Sequence, residues 1–182
     1  LHTPEGVAAV TLHIAGRHNV TNALAAAASA HAAGVALAAI AQGLSAFEPV
    51  QGRSRALSVK MGNRSITVVD DTYNANPDSV AAAIAVLAEL PKPQLLVLGD
   101  MGEVGDNGSQ FHAEAGELAQ QCSIDQLFAL GEQSAFAAKA FGAQARHFAS
   151  MAELQQAVTE QLPQVASVLV KGSRFMQMER VV

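Results

Sequence analysis

Apolar positions along this chain switch between two rhythms, and the switches mark its elements. Val7 to Ile14 alternates loosely around Val10, Leu12 and Ile14, which predicts a strand. From Val20 to Ala33 the residues are mostly Ala, with Val20 and Leu24 among them, and Gly34 follows: a helix able to approach a neighbour closely, ended by glycine. Val35 to Phe47 spaces Leu37, Ile40, Leu44 and Phe47 by threes and fours, a second helix. After Pro49 and Gly52 the rhythm becomes regular. Strands are predicted at Arg55–Met61 and Ser65–Val69, joined by a Gly62-Asn63 turn, then short apolar strands at Gln94–Leu98, Gln126–Leu130, Arg146–Phe148 and Ser167–Val170. Between them lie helices at Asp78–Leu90, Ser109–Gln121, Glu132–Phe141 and Ser150–Leu162, and a last helix is expected over Ser173–Val182.

Alternation of this kind predicts an α/β fold, a mostly parallel sheet with helices on both faces. Glu48-Pro49-Val50-Gln51-Gly52-Arg53 has the punctuation of a linker, so residues 1–50 and 51–182 are expected to be separate bodies. One strand and two helices do not complete a core, and the first body reads as the end of a domain.

Composition narrows the classes of function. Half of the 182 residues are hydrophobic, which argues against disorder. The net charge of −5 comes without any Lys/Arg cluster, so neither nucleic acid nor a membrane surface is an expected partner. The Ala-rich runs Ala23–Ala33 and Val80–Leu90 are too short and too weakly apolar to span a bilayer. A single cysteine, Cys122, allows no internal disulfide and suits a reducing, cytoplasmic compartment; a monomer is expected. The opening Leu1-His2-Thr3-Pro4 has no Met and reads as an internal cut in a longer chain.

Candidate chemistry concentrates where the second predicted strand after the linker meets a helix. That strand runs into Asp70 and Asp71, and beyond Thr72-Tyr73-Asn74-Ala75 the run Asn76-Pro77-Asp78-Ser79 marks a helix start. Asn76 can cap backbone N–H groups, Pro77 suits the first helical position and Asp78 the positive helix end. Ligands of open α/β sheets collect at the carboxyl ends of strands, so these side chains face a crevice fit for a ribose, phosphate or amine. Turn chemistry accounts equally for Asp70, Asp71, Asn74 and Asn76, because Asn and Asp fill loops by bonding their own backbone. Asn19 and Asn22 place two amides on one face of a helix start, and Arg53 offers a planar five-donor fork in the linker. Lys171-Gly172-Ser173-Arg174 sets two cations at the start of the last expected helix, a place for a carboxylate. The Gly99–Gly108 loop lacks the Gly-Lys-Ser/Thr of a phosphate cradle and carries Asp100, Glu103 and Asp106, which would repel phosphate; His112 beyond it reads as a structural residue.

Taken in order, these segments resemble the Mur ligases. Gly16-Arg17-His18-Asn19-Val20-Thr21-Asn22-Ala23-Leu24 is similar to a motif closing their central domain, and Gly52-Arg53 to their hinge. Asp70-Asp71-Thr72-Tyr73-Asn74-Ala75-Asn76-Pro77, Gly99-Asp100-Met101-Gly102-Glu103-Val104-Gly105 and Val170-Lys171-Gly172-Ser173-Arg174 are similar to motifs of their C-terminal domain. Val104 departs from the Leu of that pattern. The resemblance implies that residues 1–50 end the ATP-binding domain and that 51–182 form a Rossmann-like C-terminal domain.

It also implies ATP-dependent amide formation through an acyl phosphate, with magnesium bridging the phosphates, that joins D-alanyl-D-alanine to UDP-MurNAc-tripeptide in peptidoglycan precursor synthesis. By the same resemblance Asn19 and Asn22 flank the base, Arg53 holds phosphate and is catalytic, and Asp71 accepts from the ribose hydroxyls. Tyr73, Asn74 and Asn76 shape the substrate side of that loop, and Lys171, Ser173 and Arg174 face D-alanyl-D-alanine. The family's phosphate loop, magnesium ligands and UDP-binding domain have no counterpart in these residues, so the chain alone is expected to be inactive. Without the resemblance, the same elements also suit a non-catalytic doubly wound domain of receiver or ligand-binding type, or an interaction module.

Overall fold

A computed structural model describes residues 1–182, divided into a unit of two helices, Leu1–Val50, and a unit built on a six-stranded sheet, Gln51–Val182. In the first, β1 (His2–Thr3) pairs antiparallel with β2 (Gly6–Val7), and α1 (Arg17–Ala32) and α2 (Leu37–Ser45) follow. Gly16, at φ 100°, makes the turn into α1 that a side chain would resist. The strand expected over Val7–Ile14 is not formed. β2 stops at Val7 and pairs only with the two residues of β1, so the alternation beyond it has no ladder to join. Leu12 and Ile14 instead line a cleft with Ala23, Ala26 and Leu44. The core here is thin: Ala27, Ile40 and Ala41 are its buried hydrophobics, while Val20, Leu24 and Phe47 stay about half exposed.

The second unit begins with the hairpin β3 (Arg55–Met61) and β4 (Arg64–Asp71), turning at Gly62 (φ 62°). Then α3 (Pro77–Ala88), β5 (Gln94–Gly99), α4 (Gly108–Gln121), β6 (Gln126–Leu130), α5 (Ser134–Phe141), β7 (Ala145–Phe148), α6 (Met151–Gln161) and β8 (Ser167–Lys171) alternate as the pattern predicts. Strand order is β3-β4-β8-β5-β6-β7, with all pairings parallel except β3 on β4. Successive strand residues point to opposite faces. Val68, Val97, Phe128, Val168 and Val170 therefore join Leu154 and Val158 of α6 in one apolar cluster, and α3, Leu96 and Leu169 belong to the other face. Between α4 and α5 the backbones come so close that a Cβ on Gly116 would collide with the Ala137 carbonyl.

β4 runs two residues further than its apolar stretch, through Asp70 and Asp71, because both acids keep a place in the ladder: Asp70 opposite Arg55 and Asp71 beside Lys171. The helix expected over Ser173–Val182 is replaced by two short 3₁₀ turns, Arg174–Met176 and Met178–Val181. Gln177 between them is left-handed at φ 51°, which breaks any continuous helix. The break drops Met178 fully into the core against Gly99 and Gly172, two positions where no Cβ competes for the space. β8 lies between β4 and β5 and its continuation packs towards α6, whereas β4 and β5 lead into α3 and α4. The three chains part at their carboxyl ends, and that is where a doubly wound sheet opens a crevice.

Candidate functional site

Two adjacent carboxylates on β4 face opposite sides of the sheet and have different work. Asp70 is buried at 1% exposure. Its Oδ2 accepts the Gly52 N–H at 2.9 Å, and its Oδ1 accepts the Thr72 hydroxyl at 2.7 Å and the Thr72 N–H at 3.3 Å. All these donors are neutral, two backbone N–H groups and a hydroxyl, and Asp70 stitches the linker end to the β4 loop. Asp71 carries its side chain on the α3 side. Its Oδ1 accepts both the N–H (2.9 Å) and the hydroxyl (3.1 Å) of Ser54, and its Oδ2 accepts Lys171 Nζ at 2.6 Å. The Lys171 side chain is 3% exposed and that of Asp71 15%, so this ion pair is largely withdrawn from water. Lys171 also donates to the Asn74 carbonyl at 2.9 Å.

This geometry corrects one expectation. Lys171 does not reinforce a helix N-terminus, because no α-helix follows it; it ends β8 with its ammonium turned inward. Asp71 is largely engaged within the chain. A carboxylate offers about four lone-pair sites, and Ser54 and Lys171 occupy three, which leaves room for one further hydrogen bond.

The loops at the carboxyl ends of β4, β5 and β8 are laced together by backbone. Gly102 N–H donates to the Ala75 carbonyl at 3.0 Å, and Ser173 N–H to the Asp100 carbonyl at 2.9 Å. Asp100 Oδ1 in turn accepts the Ser134 N–H at 2.7 Å from the start of α5. His112, fully buried on α4, accepts the Met101 N–H on Nε2 at 2.9 Å and lies 2.6 Å from the Gly108 carbonyl through Nδ1. An acceptor at one nitrogen and a donor at the other define a neutral imidazole protonated on Nδ1, a loop clamp with no free nitrogen for acid–base work. Ser173 is buried with its hydroxyl unpartnered.

Cations gather around Tyr73, which is 44% exposed. The Arg53 guanidinium lies 3.9 Å from the ring centroid and that of Arg174 5.7 Å. Gly52, Thr72, Tyr73, Arg174, Gln51 and Glu179 surround a cleft of about 230 Å³. Glu179 lies 4.0 Å from Arg174. Arg53 and Arg174, assigned to different ligands from sequence, thus share one aromatic platform. Asn76 Oδ1 accepts the Ser79 N–H at 2.9 Å while Ser79 Oγ accepts the Asn76 N–H at 3.0 Å, a complete capping box for α3. Asn74 Oδ1 bonds the Ala75 N–H, so both loop amides hold backbone. In the first unit, Asn22 Nδ2 donates to Asn19 Oδ1 at 3.1 Å and Asn19 Nδ2 to the Ala15 carbonyl at 2.7 Å; both residues border the cleft of Leu12, Leu44 and Phe47. Ser54 and Thr72 escaped the sequence reading, since neither type nor spacing distinguishes them from ordinary loop residues.

Residues 52–174 match the family described as Mur ligase, glutamate ligase domain. The chain is 41% identical to the UDP-N-acetylmuramoyl-tripeptide--D-alanyl-D-alanine ligase of Escherichia coli (strain K12), over all of this chain and 40% of that protein. With the enzyme of the same name from Bacillus subtilis (strain 168) identity is 35%, over 93% of this chain and 38% of the relative. Among solved structures, MurF from Acinetobacter baumannii superposes with a TM-score of 0.86 at 36% identity, covering 99% of this chain and 40% of that one. The chain therefore spans about 40% of the length of the relatives it matches.

Proposed function

Because the chain belongs to the Mur ligase family through its glutamate ligase domain, we propose that it is the C-terminal portion of an ATP-dependent ligase that joins D-alanyl-D-alanine to UDP-MurNAc-tripeptide. Residues 51–182 would be its C-terminal domain and residues 1–50 the end of its ATP-binding domain. The relatives named above support the substrate pair. The observation that carries the reading is the convergence of Arg53, Asp71, Tyr73, Lys171 and Arg174 at the carboxyl ends of β4 and β8.

In this reading Arg53 and Arg174 offer two guanidiniums to phosphate oxygens, charge-assisted donors suited to charge that grows as a phosphoryl group moves. Arg53 is the catalytic one. Asp71 has one acceptor position left for a ribose hydroxyl. The unpartnered Ser173 hydroxyl, with the exposed loop around Tyr73, Asn74 and Asn76, is assigned to the side of the acceptor dipeptide. In the first unit, the paired amides of Asn19 and Asn22 beside an apolar cleft suit a purine edge. ATP supplies the phosphoryl group that activates the tripeptide carboxylate. Magnesium is the ion the chemistry calls for, but no three His, Cys, Asp or Glu side chains gather here, so these residues do not fit a site for it.

A receiver or metal-binding domain is disfavoured by the acids themselves. Asp70 is buried and turned to Gly52 and Thr72, and Asp71 is neutralised by Lys171, so neither forms an open acidic pocket. The decisive experiment supplies the complete protein with ATP, magnesium, UDP-MurNAc-tripeptide and D-alanyl-D-alanine. The reading expects ADP release that depends on both substrates and a pentapeptide product by mass spectrometry. ATP turnover indifferent to the dipeptide would overturn it.

A further inference from the structure

We propose that Lys171 is a positioning residue for Asp71, and no ligand of the acceptor dipeptide; this rests on the nucleotide reading of the site above. Three observations carry it. The Lys171 side chain is 3% exposed, whereas a lysine that meets an incoming substrate needs its ammonium at the crevice surface. Two of its three N–H donors are already spent inside the chain, on Asp71 Oδ2 at 2.6 Å and on the Asn74 carbonyl at 2.9 Å. Its place is set by the sheet: Asp71 and Lys171 are register partners on parallel neighbours, so both side chains leave the same face at the same height.

The arrangement fixes Asp71 from two directions. Ser54 holds Oδ1 by backbone and hydroxyl, Lys171 holds Oδ2, and the carboxylate can neither rotate nor open a different lone pair without breaking one of them. The same ammonium pins Asn74, so the loop from Asp71 to α3 is tied to the end of β8, a strand 100 residues away in sequence at the Lys171 contact. The pair is also electrically neutral. That leaves Arg53 and Arg174, both exposed and beside the Tyr73 ring, as the cations of the site, Arg174 among the residues lining the cleft. A single charge-assisted bond from β8 thus decides where the last acceptor position of Asp71 points.

The test is a double-mutant cycle in the complete ligase, with Lys171→Met, Asp71→Asn and the pair, ATP and dipeptide each being varied in steady state. Lys171→Met is expected to raise KM for ATP about tenfold, the scale of one charge-assisted hydrogen bond, with KM for D-alanyl-D-alanine within about twofold of wild type. The double variant should lose no more than the worse single one, because both changes remove the same constraint. Lys171→Arg, which keeps a cation, should recover part of the loss; it also serves as the cycle partner if Lys171→Met does not fold. Losses that multiply in the double variant, or a tenfold rise in dipeptide KM with ATP KM unchanged, would overturn the proposal and make Lys171 a direct ligand. A silent Asp71→Asn would instead sink the assignment of Asp71 to the nucleotide, and the role of Lys171 with it.

Discussion

Gly52 donates its backbone N–H to Asp70 Oδ2 at 2.9 Å, a bond that joins positions 18 residues apart. The Gly52 carbonyl accepts the Tyr73 N–H at 2.9 Å, so one glycine is held on both sides by the end of β4. Its φ of 79° and the absence of a Cβ, which would sit 3.0 Å from the Tyr73 nitrogen, make this close approach possible. Arg53 is next in the chain, and that is how its guanidinium comes to rest on the Tyr73 ring.

Asp70→Ala is therefore expected to be a stability variant. It strands the Gly52 N–H and the N–H and hydroxyl of Thr72 in a buried place. A stranded buried donor costs about 1 to 3 kcal/mol, so the urea midpoint should fall clearly with the slope unchanged. Asp70→Asn, which keeps one acceptor oxygen, should fall in between. An unchanged midpoint for Asp70→Ala would show that water replaces the carboxylate.

His112 gives a spectroscopic prediction. Its partners demand a proton on Nδ1 and a bare Nε2 facing the Met101 N–H. Two-bond ¹⁵N–¹H correlation spectra should show the Nδ1–H tautomer, and His112→Leu should destabilise the Asp100–Gly108 loop, seen as faster amide exchange at Met101. The opposite tautomer would contradict the clamp.

Most of the second unit could be read from the sequence because its strands and helices carry local signals, such as the unbroken apolar run Leu95-Leu96-Val97-Leu98 and the Asn76-Pro77 cap. What was hidden depends on distant partners. Asp71 as the last residue of a strand makes sense only with Lys171 beside it, and a local pattern contains no sign of a neighbour 100 residues on. The left-handed Gln177 is the same kind of case: Met178 is pulled into a slot made by Gly99 and Gly172, which come from two other strand ends. Val7–Ile14 failed in the reverse way, since alternation was present and a partner strand was not.

Asp71→Ala should cost stability as well as activity. The acid lies at 15% side-chain exposure against a 3% exposed ammonium, and removing it leaves that charge buried without a partner. Breaking a buried pair from one side costs about 3 to 5 kcal/mol. Thermal unfolding of the 182-residue chain should show a lower midpoint for Asp71→Ala than for the double change Asp71→Ala/Lys171→Met, which removes both charges. If the double variant were the less stable of the two, the penalty would lie in lost packing instead of in the unpaired ammonium.

Gly116→Ala tests the tightest helix contact. An added methyl meets the Ala137 carbonyl, so α4 and α5 must move apart. Overpacking of this sort costs about 1 to 3 kcal/mol. Chemical denaturation should register the loss while steady-state kinetics of the complete ligase stay near wild type, because neither helix carries a residue assigned to substrate. Wild-type stability would mean that the helices slide without penalty.

Arg53 and Tyr73 separate positioning from binding. The guanidinium 3.9 Å from the centroid of an exposed ring gains about 0.5 to 1 kcal/mol, too little to matter for folding but enough to favour one orientation of the fork. Tyr73→Phe keeps the ring and should behave as wild type. Tyr73→Ala frees Arg53 and should lower kcat a few-fold, with KM for ATP nearly constant. Arg53→Ala removes the donor itself and should lower kcat roughly ten- to a hundredfold, again more than it raises KM, because phosphate charge grows on the way to the transition state. Arg53→Lys keeps the charge without the planar fork and should restore only part of the rate. The order Tyr73→Phe, Tyr73→Ala, Arg53→Lys, Arg53→Ala in falling kcat, with melting temperatures all close to wild type, is the expected result. If Arg53→Ala kept wild-type kcat, the assignment of this guanidinium to phosphate would be lost; if Tyr73→Ala matched Tyr73→Phe, the ring would be packing and no guide for the fork.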